Sequence, residues 1–339
     1  MKKFIILATC FIAVFLLFGC TVDDDSIIGS LNDYFPIQEN VRYVYEGEGN
    51  EYASYSVWND YTDKYRLQQR IETGGTVMAQ VIYISDHKIS KILSREEIYH
   101  RENLLAETNQ EELLLIGPLK VGTSWTLSDG RVRTITGIAA DVSTPSGDYK
   151  ALEITTKGPE DKTLEYYAKD IGLVKSVFIS GDTQISSTLS KIEKDTELLQ
   201  QINFYYPNIE DGKFYFIAKN ISFHTNDDTK TILAEAYKDL PAGDNLGQVF
   251  TSKTVINSLT RNQEGIVRID LNKAFIKDMN AGALYEQMIL QSIANTFGQY
   301  YNVEKVILTI DGQPYQSGHI SMQEGQYLTV DCTNLMQIE

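Results

Sequence analysis

Apolar and polar residues along most of this chain alternate in short runs rather than recurring every three or four positions. Between residues 34 and 195 the alternation is carried by Tyr43-Val44-Tyr45 and by segments 52–58, 65–72, 76–85, 88–93, 131–138, 149–156, 162–168 and 172–179. A period of two puts alternate side chains on one face of an extended segment. Turn residues separate the runs: Thr73-Gly74-Gly75, Asp86-His87, Asp129-Gly130 and the stretch 143–148. Strands about ten residues apart, joined by such turns, predict an antiparallel meander. Segment 107–116 reads as a helix or a long loop, and the charged stretch 191–200 as the connection to a second unit.

From residue 201 the texture changes. Residues 202–206 and 213–217 flank Asp211-Gly212 as a hairpin. Residues 227–240 read as a helix, with Asp227 or Asp228 as its cap, Pro241 with Gly243 as its stop, and Ile232, Leu233, Ala236 and Leu240 as its apolar face. Strands are predicted at 249–255, 257–260, 265–271 and 303–310. A second helix spans 283–299, where Leu284, Met288, Ile289, Ile293 and Phe297 recur at helical spacing.

The first residues read as targeting rather than fold. Lys2 and Lys3 precede a thirteen-residue apolar run at 4–16, short for a spanning helix, which needs roughly 20 residues. Leu17-Phe18-Gly19-Cys20 follows and resembles a bacterial lipobox, with Phe18 departing from the usual small residue. The resemblance implies a signal peptide at 1–19, a diacylglyceryl lipid on the Cys20 thiol, and a protein held on the outer face of the cell membrane. The acidic stretch 20–33 is then a tether. Its run Asp23-Asp24-Asp25 lacks the Gly turn and distal Glu of a calcium loop.

Charge and cysteine content narrow the function classes. Without residues 1–19, Lys+Arg falls from 30 to 28 against 46 Asp+Glu, a net charge of about −18. Such a chain excludes nucleic acid as a partner and needs the Cys20 lipid for membrane attachment. Cys10 leaves with the signal and Cys20 carries lipid, so Cys332 has no intrachain partner and reads as a buried structural thiol. Stability must come from apolar cores.

Two resemblances follow from longer phrases. The phrases YFPIQENVRYVYEGEG, STPSGDYKALEI and LEYYAKDIGLVKSVF resemble a β domain of bacterial lipoproteins, which implies a curved, half-barrel-like antiparallel sheet over most of 34–180. The phrases LPAGDNLGQVF, GIVRIDLNKAF, YEQMILQSIANTFGQYYNVEKVILTIDGQ and GHISM follow in order and are similar to a single GerMN domain, named for the sporulation and germination protein GerM. That resemblance implies a small α/β unit with two helices on a sheet, working by protein–protein contact at the cell envelope. GerM itself resembles a tandem of two, so a ring-forming role does not carry over. The residues have structural roles of their own: Asp311-Gly312 as a hairpin turn, Asp270 as an acceptor of turn N–H groups, and Asn295-Thr296 closing polar groups where helix meets sheet.

Candidate chemistry is sparse. No nucleophile elbow, zinc helix, phosphate loop or Cys pair occurs, and none of His87, His100, His224 and His319 has a second ligand at metal spacing. Glu96-Glu97 and Glu111-Glu112 are neighbours that face apart on a strand. Neither cofactor nor metal is expected. His319 is a candidate recognition residue, and Tyr205, Tyr206, Tyr300 and Tyr301 are candidate stacking residues if exposed. The expectation is an α+β, two-unit chain (34–195 and 201–339) acting as a non-enzymatic envelope lipoprotein that binds an envelope protein or a second copy of itself. The alternative is a binding module for wall glycan or a lipophilic ligand; an apolar cavity in the sheet would favour it.

Overall fold

The computed structural model describes residues 29–240, 245–333 and 335–338. The signal segment, Cys20, the acidic run at 23–25 and the Pro241 and Gly243 stop lie outside the described residues.

The predicted meander is a large sheet of twelve strands: β1 (Val41–Glu48), β2 (Tyr55–Thr62), β3 (Arg66–Thr73), β4 (Val77–Ile84), β5 (Lys88–Arg95), β6 (Glu112–Ile116), β7 (Ser124–Thr126), β8 (Val132–Thr144), β9 (Gly147–Lys157), β10 (Asp161–Ala168), β11 (Gly172–Ser180) and β12 (Thr183–Lys194). The chain steps outward from β1 to β6, crosses to β7, and steps back until β12 pairs with β1. Bulges at Ser190 of β12, Asp60 of β2 and Ile92 of β5 bend the sheet. It is nearly closed, because the two edges reach each other through side chains. Trp125 Nε1 and Arg133 Nη1 donate to the Leu113 carbonyl at 3.0 and 3.2 Å. Alternation then sorts the residues. Leu67, Gln69 and Ile71 face the interior, while Gln68 and Arg70 of the same strand face out toward the segment 98–104.

Two sequence expectations are corrected here. Segment 107–116 holds strand β6, not a helix, and it forms one edge of the near-closed sheet. The stretch 191–200 is not a linker: Val41 pairs with Lys194 and Val44 with Lys191, and the next strand opens at Leu198. The boundary at the tether also shifts. A 3-10 turn at Leu31–Tyr34 buries Leu31 and Tyr34 in the barrel core.

The C-terminal part holds β13 (Leu198–Asn208) and β14 (Lys213–Phe223) as a long hairpin, with β20 (Leu335–Gln337) parallel to β14. A second sheet runs β15 (Ile256–Arg261), β16 (Ile266–Leu271), β17 (Lys305–Ile310) and β18 (Gln313–Pro314), with β19 (Leu328–Thr329) also beside β17. Helices α1 (Thr229–Lys238), α2 (Ala274–Asp278) and α3 (Ala283–Tyr300) complete it. Phe204, Tyr237, Phe250, Val267, Ile269, Ile293, Phe297 and Leu308 share one core.

Three local readings change. Helix α1 fully buries Thr229, Leu233, Ala234 and Tyr237, while Ile232, Ala236 and Leu240 pack against the same core half-buried, so the Tyr237 ring joins the expected apolar face. Segment 249–255 is not a strand, although Val249 and Phe250 are buried. Leu284 stands 67% exposed at the start of α3, while Met288, Ile289, Ile293 and Phe297 are buried as expected.

Candidate functional site

The tyrosines named as stacking candidates only if exposed are packing residues. Tyr205 and Tyr206 of β13 are 1% and 0% exposed. Tyr205 Oη donates to Gln299 Oε1 at 2.6 Å, and burial pushes its pKa up to about 12. Tyr206 packs edge-on to Tyr237, with ring centroids 5.5 Å apart. Tyr301 lies against the His100 ring, and Tyr300 Oη accepts the Arg101 N–H at 2.9 Å. None of the four presents a face to a glycan. His319 is exposed on a loop held by its peptide N–H, which donates to Ser317 Oγ at 3.0 Å. Cys332, expected to be buried, is exposed, and its Sγ accepts from Gln299 Nε2 at 2.9 Å.

The polar positions of the second unit behave as read. Asp270 Oδ1 accepts from Thr309 Oγ1 at 2.6 Å and from the Gly312 N–H at 2.8 Å, and Asn257 Nδ2 donates to its other oxygen at 2.9 Å. Burial alone would raise the Asp270 pKa; these bonds outweigh that and hold it below the ordinary carboxylate value. Asp311 and Gly312 take φ of 47° and 77°, the left-handed pair a tight hairpin needs. Asp270→Ala therefore costs about 2 kcal/mol, measured by urea unfolding. The depressed pKa adds a pH signature. Asp270 contributes its stability above the ordinary carboxylate range, and that share fades as pH falls through its lowered pKa. Asn295 pairs both ways with the Asp331 backbone, at 2.7 and 2.9 Å. Thr296 Oγ1 accepts the Tyr205 N–H and donates to Tyr237 Oη, each at 3.0 Å.

A buried polar cluster went unread in the sequence. Arg101 is 0% exposed and joins the barrel to the second unit. Its guanidinium donates to the carbonyls of Asp60, His224 and Asp227 at 2.8, 2.8 and 2.5 Å, and to Thr229 Oγ1 at 3.2 Å. It lies over the rings of Tyr61 and Phe223, 4.2 and 5.1 Å from their centroids. Asp60, also fully buried, is held by Arg70 at 3.0 Å, and Arg70 donates to the carbonyls of Ile98 and His100. Around this node Thr225 bonds Asn40 and Asn59, Asn226 bonds Thr62 and Glu39, and Tyr61 Oη meets Thr229 Oγ1 at 2.8 Å. The bonds that join the two units link residues 123 to 187 apart along the chain, so no local pattern announces them.

His100 sits in the same seam, 3% exposed. Burial pushes its pKa below the ordinary 6.5, with Arg261 and Arg70 acting in the same direction and Glu102, 3.4 Å away, opposing them. Because the unfolded chain takes up this proton first, stability falls as pH drops below about 6.5, by at most about 1.4 kcal/mol per pH unit. His100→Gln removes that slope in a series of unfolding curves between pH 7 and 5.

Inside the barrel lies a cavity of about 270 Å³. Tyr43, Tyr45, Tyr55, Leu67, Ile71 and Leu114 form much of its wall. A polar belt crosses it. Gln80 Nε2 donates to Gln69 Oε1 at 2.9 Å, Gln69 Nε2 to Asn59 Oδ1 at 3.2 Å, and Asn59 Nδ2 to the Gln38 carbonyl at 2.8 Å. Beyond them Lys91 pairs with Glu112 at 2.6 Å, and Arg133 bridges Glu112 and Glu165. Each of the two carboxylates is engaged by a cation. Glu111, next to Glu112, turns instead to Lys88, so the adjacent pair faces apart.

Nothing among curated proteins matches the chain. Among solved structures, a Bacteroides fragilis protein described as exported with a YmcC-like fold is 15% identical, covering 48% of this chain and 99% of its own, with a TM-score of 0.33. The tandem GerMN domains of GerM from Bacillus subtilis are 18% identical over 40% of this chain and 46% of theirs, with a TM-score of 0.28. The first of those domains alone is 20% identical over 39% of this chain and 97% of its own, with a TM-score of 0.28. A family model matches directly: residues 203–316 of this chain form a Germane domain, the family described as sporulation and spore germination.

Proposed function

We propose that the protein is a non-enzymatic cell-envelope lipoprotein whose Germane domain docks an envelope protein or a second copy of the chain during sporulation, germination or cell-wall processes. The observation that carries this reading is the Germane match over 203–316. The buried seam adds to it. A domain bolted to a barrel through Arg101 is held at a set orientation to that barrel, as a docking platform requires. No helix of the described residues is long and apolar enough to cross a membrane, so in this reading the Cys20 lipid holds the protein there.

Strand β15 is the edge of its sheet, hydrogen-bonded to β16, with Ser258 and Thr260 exposed. Sheet edges are natural docking surfaces. A photocrosslinking residue at Thr260 captures a specific envelope protein or a second copy in cells, and the same probe at Ser128, on the barrel, does not. Ser258→Lys in the Thr260-probe chain abolishes capture while leaving the unfolding curve unchanged. Equal capture from both sites, or capture indifferent to Ser258→Lys, contradicts docking through this edge.

The buried tyrosine pairs remove the support that exposed aromatics would have given to glycan binding. The barrel cavity, in contrast, favours a small-ligand role alongside docking.

A further inference from the structure

We propose that the barrel interior binds one small neutral molecule: a ring with apolar faces and a hydroxyl-bearing edge, of the size and chemistry of a substituted phenol. This is independent of the docking role, since its residues lie in the other unit.

The size argument comes first. Protein interiors rarely leave voids larger than a water. An apolar cavity of about 150 Å³ accepts a benzene ring. The 270 Å³ here accommodates a ring with a short arm and falls just below the range of drug-sized pockets, which begins at about 300 Å³.

The wall selects a flat apolar body. Tyr45 and Tyr55 stack with centroids 4.5 Å apart and planes 19° apart, and Leu67, Ile71, Ile82 and Leu114 supply aliphatic surface. Phe35 and Pro36 after the N-terminal turn, Ile171 from the β10–β11 turn, and Gly172 and Leu173 at the start of β11 complete the lining. The Phe35 ring rests 5.0 Å from Tyr167.

The polar belt selects against charge. Its cations, Lys91 and Arg133, are matched by Glu112 and Glu165, and Tyr167 Oη donates to Glu165 at 3.1 Å. An ionic ligand would give up its water and find every counter-charge engaged. Two wall groups are uncommitted among the described residues: the Tyr55 hydroxyl, a donor, and Gln80 Oε1, an acceptor left over where the amide ladder ends. The Tyr55 hydroxyl offers a ligand hydroxyl a donor, and Gln80 Oε1 offers a ligand O–H an acceptor.

The test titrates the full chain with p-cresol, benzoate and glucose, read by ligand-observed NMR and calorimetry. The expected result is saturable 1:1 binding of p-cresol, with benzoate and glucose at least tenfold weaker. Ile71→Trp fills the space and abolishes binding. Tyr55→Phe leaves the cavity open and weakens p-cresol about fivefold, the worth of one hydrogen bond. Absence of p-cresol binding overturns the proposal, as does benzoate or glucose binding as tightly as p-cresol, or p-cresol binding unchanged in Ile71→Trp. If Ile71→Trp does not fold, Tyr55→Phe decides, and an unchanged affinity there overturns the assignment.

Discussion

Arg101→Ala destabilises the protein by about 4 kcal/mol and separates the unfolding of its two units. The magnitude follows from what the guanidinium holds. Removing one side of a buried, hydrogen-bonded charge cluster costs about 3–5 kcal/mol, because the groups left behind keep their desolvation penalty. Three carbonyls and the Thr229 hydroxyl lose their bond to the guanidinium at once. Asp60 keeps Arg70, so the cluster does not collapse to a lone buried carboxylate. Urea unfolding, followed separately by a barrel probe and a Germane-domain probe, is the measurement. Coincident midpoints in the native chain become two in the variant. Arg101→Lys recovers only part of the loss, since an ammonium has three donors and no planar fork to span four acceptors over two rings. A loss below about 1 kcal/mol in Arg101→Ala would show that the seam is held by its flanking Asn and Thr bonds instead.

Phe297→Ala has a comparable effect in the other direction: it empties the Germane core and leaves the barrel intact. Phe297 is fully buried on α3, with Tyr237 at 6.2 Å and Phe250 at 6.4 Å between centroids. Large-to-small changes at such aromatic positions cost about 3–5 kcal/mol, set by how far the surroundings relax. The relaxation here is limited, because Tyr237 is pinned through its hydroxyl to the Tyr205 carbonyl at 2.6 Å. Calorimetry should show the single transition of the chain moved to lower temperature, while below it the near-ultraviolet signals of Trp58 and Trp125, both in the barrel, keep their native form.

Much of the barrel was legible in the sequence because its strands are defined by neighbours in the chain. Gly74-Gly75 and Asp129-Gly130 mark hairpins whose register is set within a few residues, and the alternation of β3 and β9 states which side chains face in. Strand β6 escaped because its pairing with β5 follows a long loop, and its Glu111-Glu112-Leu113 start carries helix-forming residues. The segment 191–200 looked like a linker because lysines and glutamates decorate the solvent face of β12, and solvated strand faces and linkers share a composition. The Germane motif residues were readable to the level of single bonds: Asp270, Asp311-Gly312 and Asn295-Thr296 each do locally what their chemistry suggests.

The candidate sites were less legible. Tyrosine content alone does not separate exposed rings from buried ones. Tyr205 and Tyr206 are interior because α1 and α3 pack on β13, and Tyr301 with the half-buried Tyr300 packs against the His100–Arg101 segment. Cys332 follows the β19 turn and lies outside any strand, so the apolar phrase around it does not bury it. Arg101 occurs in Tyr99-His100-Arg101-Glu102, a run indistinguishable from a solvated loop, and only the tertiary fold places it under Tyr61 and Phe223. The cavity is likewise a property of closure. Gln69 and Gln80 occupy inward positions where an ordinary strand would carry aliphatic residues, and that departure is the trace the sequence holds of it.

At the centre of this account is a Germane domain carried as one body with its barrel. Differential scanning calorimetry of the mature chain tests that most directly, with tyrosine and tryptophan signals recorded through the same transition. One cooperative transition, its calorimetric enthalpy equal to the van't Hoff enthalpy for the whole chain, is the predicted result. Two resolved transitions in the unmodified chain would contradict it, and would mean that the Arg101 seam joins two units that unfold independently.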